Sequence, residues 1–279
     1  VHVLVTGCSS GIGAATAAEL LRRGHSVTAA VRKEADAEAL LERHPTGLDV
    51  VRFDVTDDDA VAREVGRVAE RPLDAVVNNA GAAFAAPLEH LPLALLREQL
   101  DINVVGQLAV TQAALPALRR SSEGGSGGRV VVVGSIGGRV AGGLLGPYHA
   151  SKFAVVGLTD SLRAELAPWG IPVILIEPGV IASPIWATGE DRGRRLFDAL
   201  PEAARARYRR QMDAKVAEGR RNAQGGAPPQ TVAEVIAGAL EAAKPRPRYL
   251  VGRDARLAGA LAKLPPRLLY RLTASREGD

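Results

Sequence analysis

The chain has 279 residues, of which 47% are hydrophobic and 24% charged, with a formal net charge of +4, a balance suited to one α/β domain with a large core. Its one cysteine, Cys8, excludes an internal disulfide and suits a reducing compartment. No apolar run reaches the roughly eighteen residues of a membrane span, and the positive charge forms no basic stripe with interleaved aromatics of the kind that binds nucleic acid.

In chain order, residues 1–6 read as an apolar strand, without the basic and apolar regions of a signal peptide, so a cytoplasmic location is expected. Gly7-Cys8-Ser9-Ser10-Gly11-Ile12-Gly13 follows directly and opens a helix that ends near Arg23. Strand, glycine turn and helix form a phosphate cradle: glycine lets the backbone approach a pyrophosphate, and the helix start offers unpaired N–H groups and a positive dipole end. Cys8 stands in this loop and reads as a small packed residue rather than a reactive thiol. Strands at 26–31, 49–53 and 73–78 then alternate with helices at 34–43 and 57–70. A long helical stretch follows at 93–119, then a strand at 129–133, a helix at 147–167 and a strand at 171–177. Near-continuous Val, Ile and Leu runs joined by helices indicate a parallel sheet covered on both faces, a doubly wound Rossmann fold of about seven strands in one domain. The Gly- and Ser-rich segment 121–128 reads as a flexible surface connector. Beyond 184 the chain is arginine-rich and helical to about 219, with a further helix at 231–243 and a last strand at 248–251. Apolar residues recur at helical spacing through 257–272, edged by Arg256, Lys263, Arg267 and Arg271. Such an end can lie on a membrane, on the core or on a neighbouring subunit.

The chemistry concentrates in Tyr148-His-Ala-Ser-Lys152, with Ser135 upstream. A free tyrosine titrates near 10, so acid–base work at neutral pH needs a shift of roughly three units, about 4 kcal/mol of preferential phenolate stabilisation. A nearby ammonium can supply it, and residues four apart share a helix face, so Lys152 points to the same cleft as Tyr148. Ser135 can hydrogen-bond a substrate oxygen and fix the transfer geometry. Alone, a Tyr-x-x-x-Lys pair arises by chance on many exposed helices.

Taken together, Thr6-Gly7-x-x-x-Gly11-x-Gly13, Asn78-Asn79-Ala80-Gly81, Asn103, Ser135, Tyr148 and Lys152 resemble the single-domain branch of the short-chain dehydrogenase/reductase family. The resemblance covers residues 1 to about 185, with Pro178-Gly179, Ile181 and Ser183 matching the family's nicotinamide-side loop. The Thr-Gly-Cys-Ser-Ser-Gly-Ile-Gly loop and Val31-Arg32-Lys33 are most similar to the 17β-hydroxysteroid and retinol dehydrogenase members. The resemblance implies hydride exchange between a nicotinamide and an alcohol or carbonyl. Tyr148 would be the acid/base, Ser135 the anchor, and Lys152 would bind the nicotinamide ribose and depress the tyrosine. Asn103 would mark a kink whose backbone carbonyl holds a water against Lys152. Gly7, Ser9, Ser10, Gly11, Ile12 and Gly13 would cradle the phosphates, Asp54 and Val55 the adenine, and Asn79, Ala80 and Gly81 the inner wall. Pro178, Gly179, Ile181 and Ser183 would hold the carboxamide side, and Asn78 would be structural. The family usually pairs subunits, so a homodimer or homotetramer is expected.

At the end of the second strand NAD enzymes of this fold carry a carboxylate for the ribose 2′-hydroxyl. Here Val31 and Arg32 stand there, and a guanidinium pairs with a 2′-phosphate; NADP(H) is the expected cofactor, with NAD(H) possible and no metal. The loop before Tyr148 offers Val140, Leu144 and Leu145 as apolar substrate contacts. Segment 184–219 sits where the family keeps a substrate lid, so Trp186 is either a pocket wall or a packed indole on a surface hairpin. A hydrophobic secondary alcohol or ketone of steroid, retinoid or polyketide kind fits these walls. The alternative is a non-catalytic NADP(H)-sensing partner protein, which would be expected to lack at least one of the four catalytic groups.

Overall fold

The computed structural model describes residues 1–125, 127–265 and 267–269. Within them seven strands form one parallel sheet in the order β3-β2-β1-β4-β5-β6-β7. These strands are β1 (His2–Thr6), β2 (Ser26–Val31), β3 (Leu48–Arg52), β4 (Ala75–Asn78), β5 (Arg129–Val133), β6 (Val173–Pro178) and β7 (Arg248–Val251). From β1 the chain runs to β2 and β3 on one side, and the crossover from β3 places β4 on the other side of β1, which opens a crevice at the carboxyl ends of the strands where a ligand binds in such sheets.

Side chains alternate across each strand, so both faces are apolar. Val3, Val5, Val131 and Ile174 face one core layer with Ala17 and Leu20 of α1 (Gly11–Arg22), Ala37 and Leu40 of α2 (Glu34–Arg43), and Val232 and Ile236 of α9 (Pro229–Glu241). Leu4, Val76, Val130 and Leu175 face the other, with Val61 and Val65 of α3 (Asp58–Ala69), Val110 and Leu118 of α5 (Gly106–Glu123), and Val155 of α6 (Gly146–Leu166).

Three expectations change. The long helix at 93–119 is two helices, α4 (Leu93–Leu100) and α5, joined by a π-helical turn at Asp101–Val105 in which Gly106 N–H reaches back to Asp101 C=O. An inserted residue of this kind bulges the helix and often marks a functional position. The expected connector at 121–128 is helical through Glu123, because Ser121 donates to Asp74 Oδ1 at 2.6 Å and Ser122 to Trp169 C=O at 2.8 Å, pinning the last turn. A Cβ on Gly128 would lie 2.1 Å from Leu118 C=O, so that glycine serves close packing; Ser126 lies outside the described residues. Of the helical spacing read over 257–272 and interrupted by Pro265-Pro266, the first part belongs to α10 (Arg253–Leu261), which starts earlier because Gly252, at φ 108°, turns the chain directly out of β7; residues 266 and 270–272 lie outside the described residues.

Segment 184–219 forms α7 (Ile185–Asp198) and α8 (Glu202–Gly225). Gly189 and Gly193 bring α7 against the backbone after β4, where a Cβ would sit 2.7 Å from Ala83 C=O and 2.8 Å from Ala85 C=O respectively. Arg192 stacks 4.6 Å above the Phe84 ring and pairs with both oxygens of Glu98. Among the described residues no helix is long and apolar enough to cross a membrane.

Candidate active site

A cleft of about 510 Å³ opens along the carboxyl ends of the strands. Its phosphate end is built by glycines that nothing larger replaces. Gly7 and Gly11 have φ of 72° and 58°, a conformation that favours residues without Cβ. A Cβ on Gly13 would lie 2.2 Å from Gly7 C=O. No acidic residue stands in the first turn of α1, and its N-cap, Ser10, makes no side-chain cap bond, so the N–H groups there suit an anion. The loop is braced from beneath: Thr6 Oγ1 accepts from Asn79 N–H at 2.9 Å and Ala80 N–H at 3.0 Å, and Asn79 Nδ2 donates to Thr6 C=O at 2.9 Å. Cys8 is fully buried, donates to Val5 C=O at 3.1 Å, and has its thiol pushed up to about 12 by burial.

Gly7, Ser9, Ser10, Gly11, Ile12, Asn79, Ala80 and Gly81 all line the cleft; Gly13 stands behind its wall. Asn78 does not: it is buried and donates to Thr111 Oγ1 at 2.7 Å across to α5. Arg32, Lys33 and Asp36 line the adenosine end with Asp54 and Val55. Arg32 is 67% exposed and lies 3.5 Å from Asp54, whose carboxylate also accepts from Thr56 N–H and Oγ1 at 3.0 and 2.8 Å. Desolvation raises Asp54, yet the Thr56 bonds and Arg32 outweigh it and hold the carboxyl below its ordinary value.

Ser135, Tyr148 and Lys152 converge on the other end of the cleft. Ser135 and Tyr148 flank Gly137 side by side, and Ser135 Oγ accepts from Gly137 N–H at 3.0 Å. Lys152 is buried, with Nζ 5.8 Å from the Tyr148 ring centroid and donating to Val133 C=O at 3.0 Å. The expected depression of the tyrosine by this ammonium is not what the folded chain displays. Burial pushes the Tyr148 phenol above its ordinary value, with the Ser135 hydroxyl opposing it, and burial brings Lys152 down to about 8.

Asn103 occupies the π-helical turn and is fully buried. Its Oδ1 accepts from Ala82 N–H at 2.8 Å, while Nδ2 donates to Ala82 C=O at 3.0 Å and to Ser151 Oγ at 2.9 Å. Ser151 in turn donates to Tyr148 C=O at 2.7 Å, so Asn103 braces the cleft wall against the helix that carries the tyrosine.

Pro178, Gly179, Ile181 and Ser183 line the far wall, and Leu145, Ile185 and Trp186 the outer end, beside Ala82 and Ala83. Trp186 is a wall residue whose Nε1 donates to Ile181 C=O at 2.7 Å. Val140 and Leu144 do not line the cleft. Leu144 adopts φ 63° and presents its carbonyl to Ala86 N–H at 2.8 Å, so its backbone, not its side chain, serves the wall.

Sequence reasoning missed several supports. Arg139, in the loop before Tyr148, grips the fully buried Glu177 through two bonds of 2.7 and 2.6 Å. The neighbouring His149 accepts from Gly142 N–H at 3.1 Å and bonds Gly137 C=O at 2.9 Å. Neither Arg139 in the loop nor His149 in α6 carried a sequence signal of these bonds, because their partners are distant in sequence or are backbone groups. Among the described residues no group of His, Cys, Asp or Glu is placed to hold a metal ion.

The glycine cradle, the exposed guanidinium and the long cleft leading to Tyr148 fit a dinucleotide. Residues 1–192 match the short chain dehydrogenase family. The chain is 35% identical over 276 residues to NADPH-dependent 3-dehydrocapnine reductase of Ornithobacterium rhinotracheale, covering 97% of this chain and 95% of that protein. It is also 35% identical over 256 residues to human 17-beta-hydroxysteroid dehydrogenase type 1, covering 88% and 76%. A short chain dehydrogenase from Burkholderia cenocepacia, solved in complex with NADP, superposes with a TM-score of 0.74 at 26% identity, covering 98% of this chain and 96% of that one. The chain therefore belongs to the short-chain dehydrogenase/reductase family of NAD(P)-dependent oxidoreductases.

Proposed function

We propose that the protein interconverts a hydrophobic secondary alcohol and its ketone with NADP(H), using Tyr148 as the proton donor and acceptor. The observation that carries this reading is the convergence of Ser135, Tyr148 and buried Lys152 on one end of the cleft, with Lys152 one turn beyond Tyr148 on the same helix. When bound, the nicotinamide supplies or takes up the hydride.

The chain's own residues do the rest. Gly7, Gly11 and the α1 amino terminus would hold the pyrophosphate, and the 179–183 loop the carboxamide side. The Tyr148 hydroxyl and the Ser135 hydroxyl both address one substrate oxygen, Ser135 orienting it and Tyr148 giving or taking its proton. A lysine titrating at about 8 is still roughly nine-tenths protonated at pH 7, so Lys152 brings positive charge to the developing phenolate. Val133 C=O engages one of its three donors and fixes where that charge sits.

The preference for NADP(H) rests on Arg32, which is exposed at the adenosine end with Lys33 beside it. The NADPH-dependent relative and the NADP-bound structure support the same choice. Asp36 lies on the same wall and opposes it in part. The substrate end offers Ala82, Ala83, Leu145, Ile185 and Trp186 and, beyond Lys152, no charged side chain among its lining residues, which favours an apolar molecule. The relatives reported above are a reductase and a dehydrogenase, and give the non-catalytic alternative no support. The deciding experiment is NADPH consumption against a panel of ketones and aldehydes of graded hydrophobicity. Turnover confined to apolar ketones is expected; a preference for charged or small polar carbonyls would defeat the substrate assignment.

A further inference from the structure

The wall formed by residues 179–186 is held by groups that lie outside the motifs of this site. Val180 C=O accepts from Ala227 N–H at 3.0 Å, Ala182 N–H donates to Ala227 C=O at 2.9 Å, and Trp186 Nε1 takes Ile181 C=O. A further anchor comes from α10, next to the last strand. Asp254, in the first turn of α10, accepts the Val180 N–H on Oδ2 at 2.6 Å. The fit around that carboxylate is close on two sides. A Cβ on Gly179 would lie 2.2 Å from Asp254 Oδ2, and one on Gly252 would lie 2.5 Å from Oδ1. Gly179 N–H meanwhile donates to Val251 C=O at 2.9 Å, so the sheet ladder carries the turn to the place where Asp254 meets it.

We propose that Asp254 is a positioning residue for oxidoreduction: through Val180 it sets the placement of Ile181 and Ser183, and so of the nicotinamide end of the cofactor. The proposal rests on the reading of 179–183 as the carboxamide-side wall. It assigns the start of α10 a part in hydride transfer, whereas Ile185 and Trp186 of α7 line the outer end of the cleft. A charge-assisted bond from a carboxylate to a backbone N–H is the stronger class of hydrogen bond. Its loss frees the turn immediately before Ile181, and small displacements of a reacting group have large kinetic effects.

The test compares wild type with Asp254→Ala, Asp254→Asn and the exposed control Arg256→Ala. Asp254→Ala is expected to lower kcat about tenfold and raise the KM for NADPH several-fold while leaving the KM for the ketone near wild type. Asp254→Asn keeps an acceptor oxygen and is expected to recover most of both; Arg256→Ala is expected to match wild type. Hydrogen exchange over 179–186, without added dinucleotide, should speed up in Asp254→Ala and not in Asp254→Asn. A variant that loses only thermal stability, with unchanged NADPH kinetics and unchanged exchange, overturns the assignment, as does an asparagine variant as impaired as alanine. Wild-type protein that fails to bind NADPH defeats the functional reading instead, and the exchange comparison then still decides whether Asp254 holds the loop.

Discussion

Replacing Asn103 with alanine probes the brace between the cofactor wall and the tyrosine helix. The substitution removes three hydrogen bonds, to Ala82 N–H, Ala82 C=O and Ser151 Oγ, from a fully buried position. At about 1 kcal/mol net for each bond, the loss is about 3 kcal/mol. Spread over a chain of this length, that corresponds to a fall in Tm of about 5 °C. Urea unfolding followed by circular dichroism should register a lower midpoint with an unchanged slope. Because Ser151 also bonds Tyr148 C=O, turnover should fall with stability. Asn103→Asp keeps only the acceptor and buries a charge, so it should be at least as damaging. A stability loss below about 1 kcal/mol for Asn103→Ala would refute the brace, since buried partners left without bonds cost more than that.

Three further outcomes follow from the charges. Arg32→Asp should shift preference from NADPH toward NADH, and an unchanged ratio of the two efficiencies would remove Arg32 from phosphate recognition. Lys152→Met should abolish activity yet stabilise the protein at pH 7, because burial lowers the lysine to about 8 and the folded state then disfavours its charge. The unfolded chain binds more protons between about 8 and the ordinary 10.5, so wild type gains stability as pH rises through that window and the variant's advantage should shrink there. Glu19, bonded first by Arg22 and also by Arg23 and Gln230, is lowered to about 2. Its contribution is therefore complete above the ordinary 4.5 and lost as pH falls toward about 2, so Glu19→Gln should be less stable than wild type at pH 7 and converge with it in acid.

The strands were legible because a parallel sheet buried on both faces demands unbroken β-branched runs, and β2, β5 and β7 fall where those runs begin and end. The positions of Ser135, Tyr148 and Lys152 were legible because spacing along one helix and one strand end fixes them locally. The break at Asn103 was expected only from the family resemblance: in sequence asparagine is merely a mild helix breaker, and its bonds to Ala82 and Ser151 come from segments distant along the chain. Arg139 and Glu177, or Asp254 and Val180, meet only once β5, β6 and β7 lie side by side, so neither pair has a sequence signal. Val140 and Leu144 misled because apolar character in a loop does not say which way the chain turns, and the left-handed turn at Leu144 directs its carbonyl to Ala86 instead.

The proposed role of Tyr148 as the proton donor and acceptor is open to direct test. Its direct measurement is turnover and NADPH affinity of Tyr148→Phe against the best ketone found for wild type. NADPH binding should stay near wild type while kcat falls about a thousandfold, within the range expected for loss of a positioned acid or base. Turnover within a few-fold of wild type would contradict the claim.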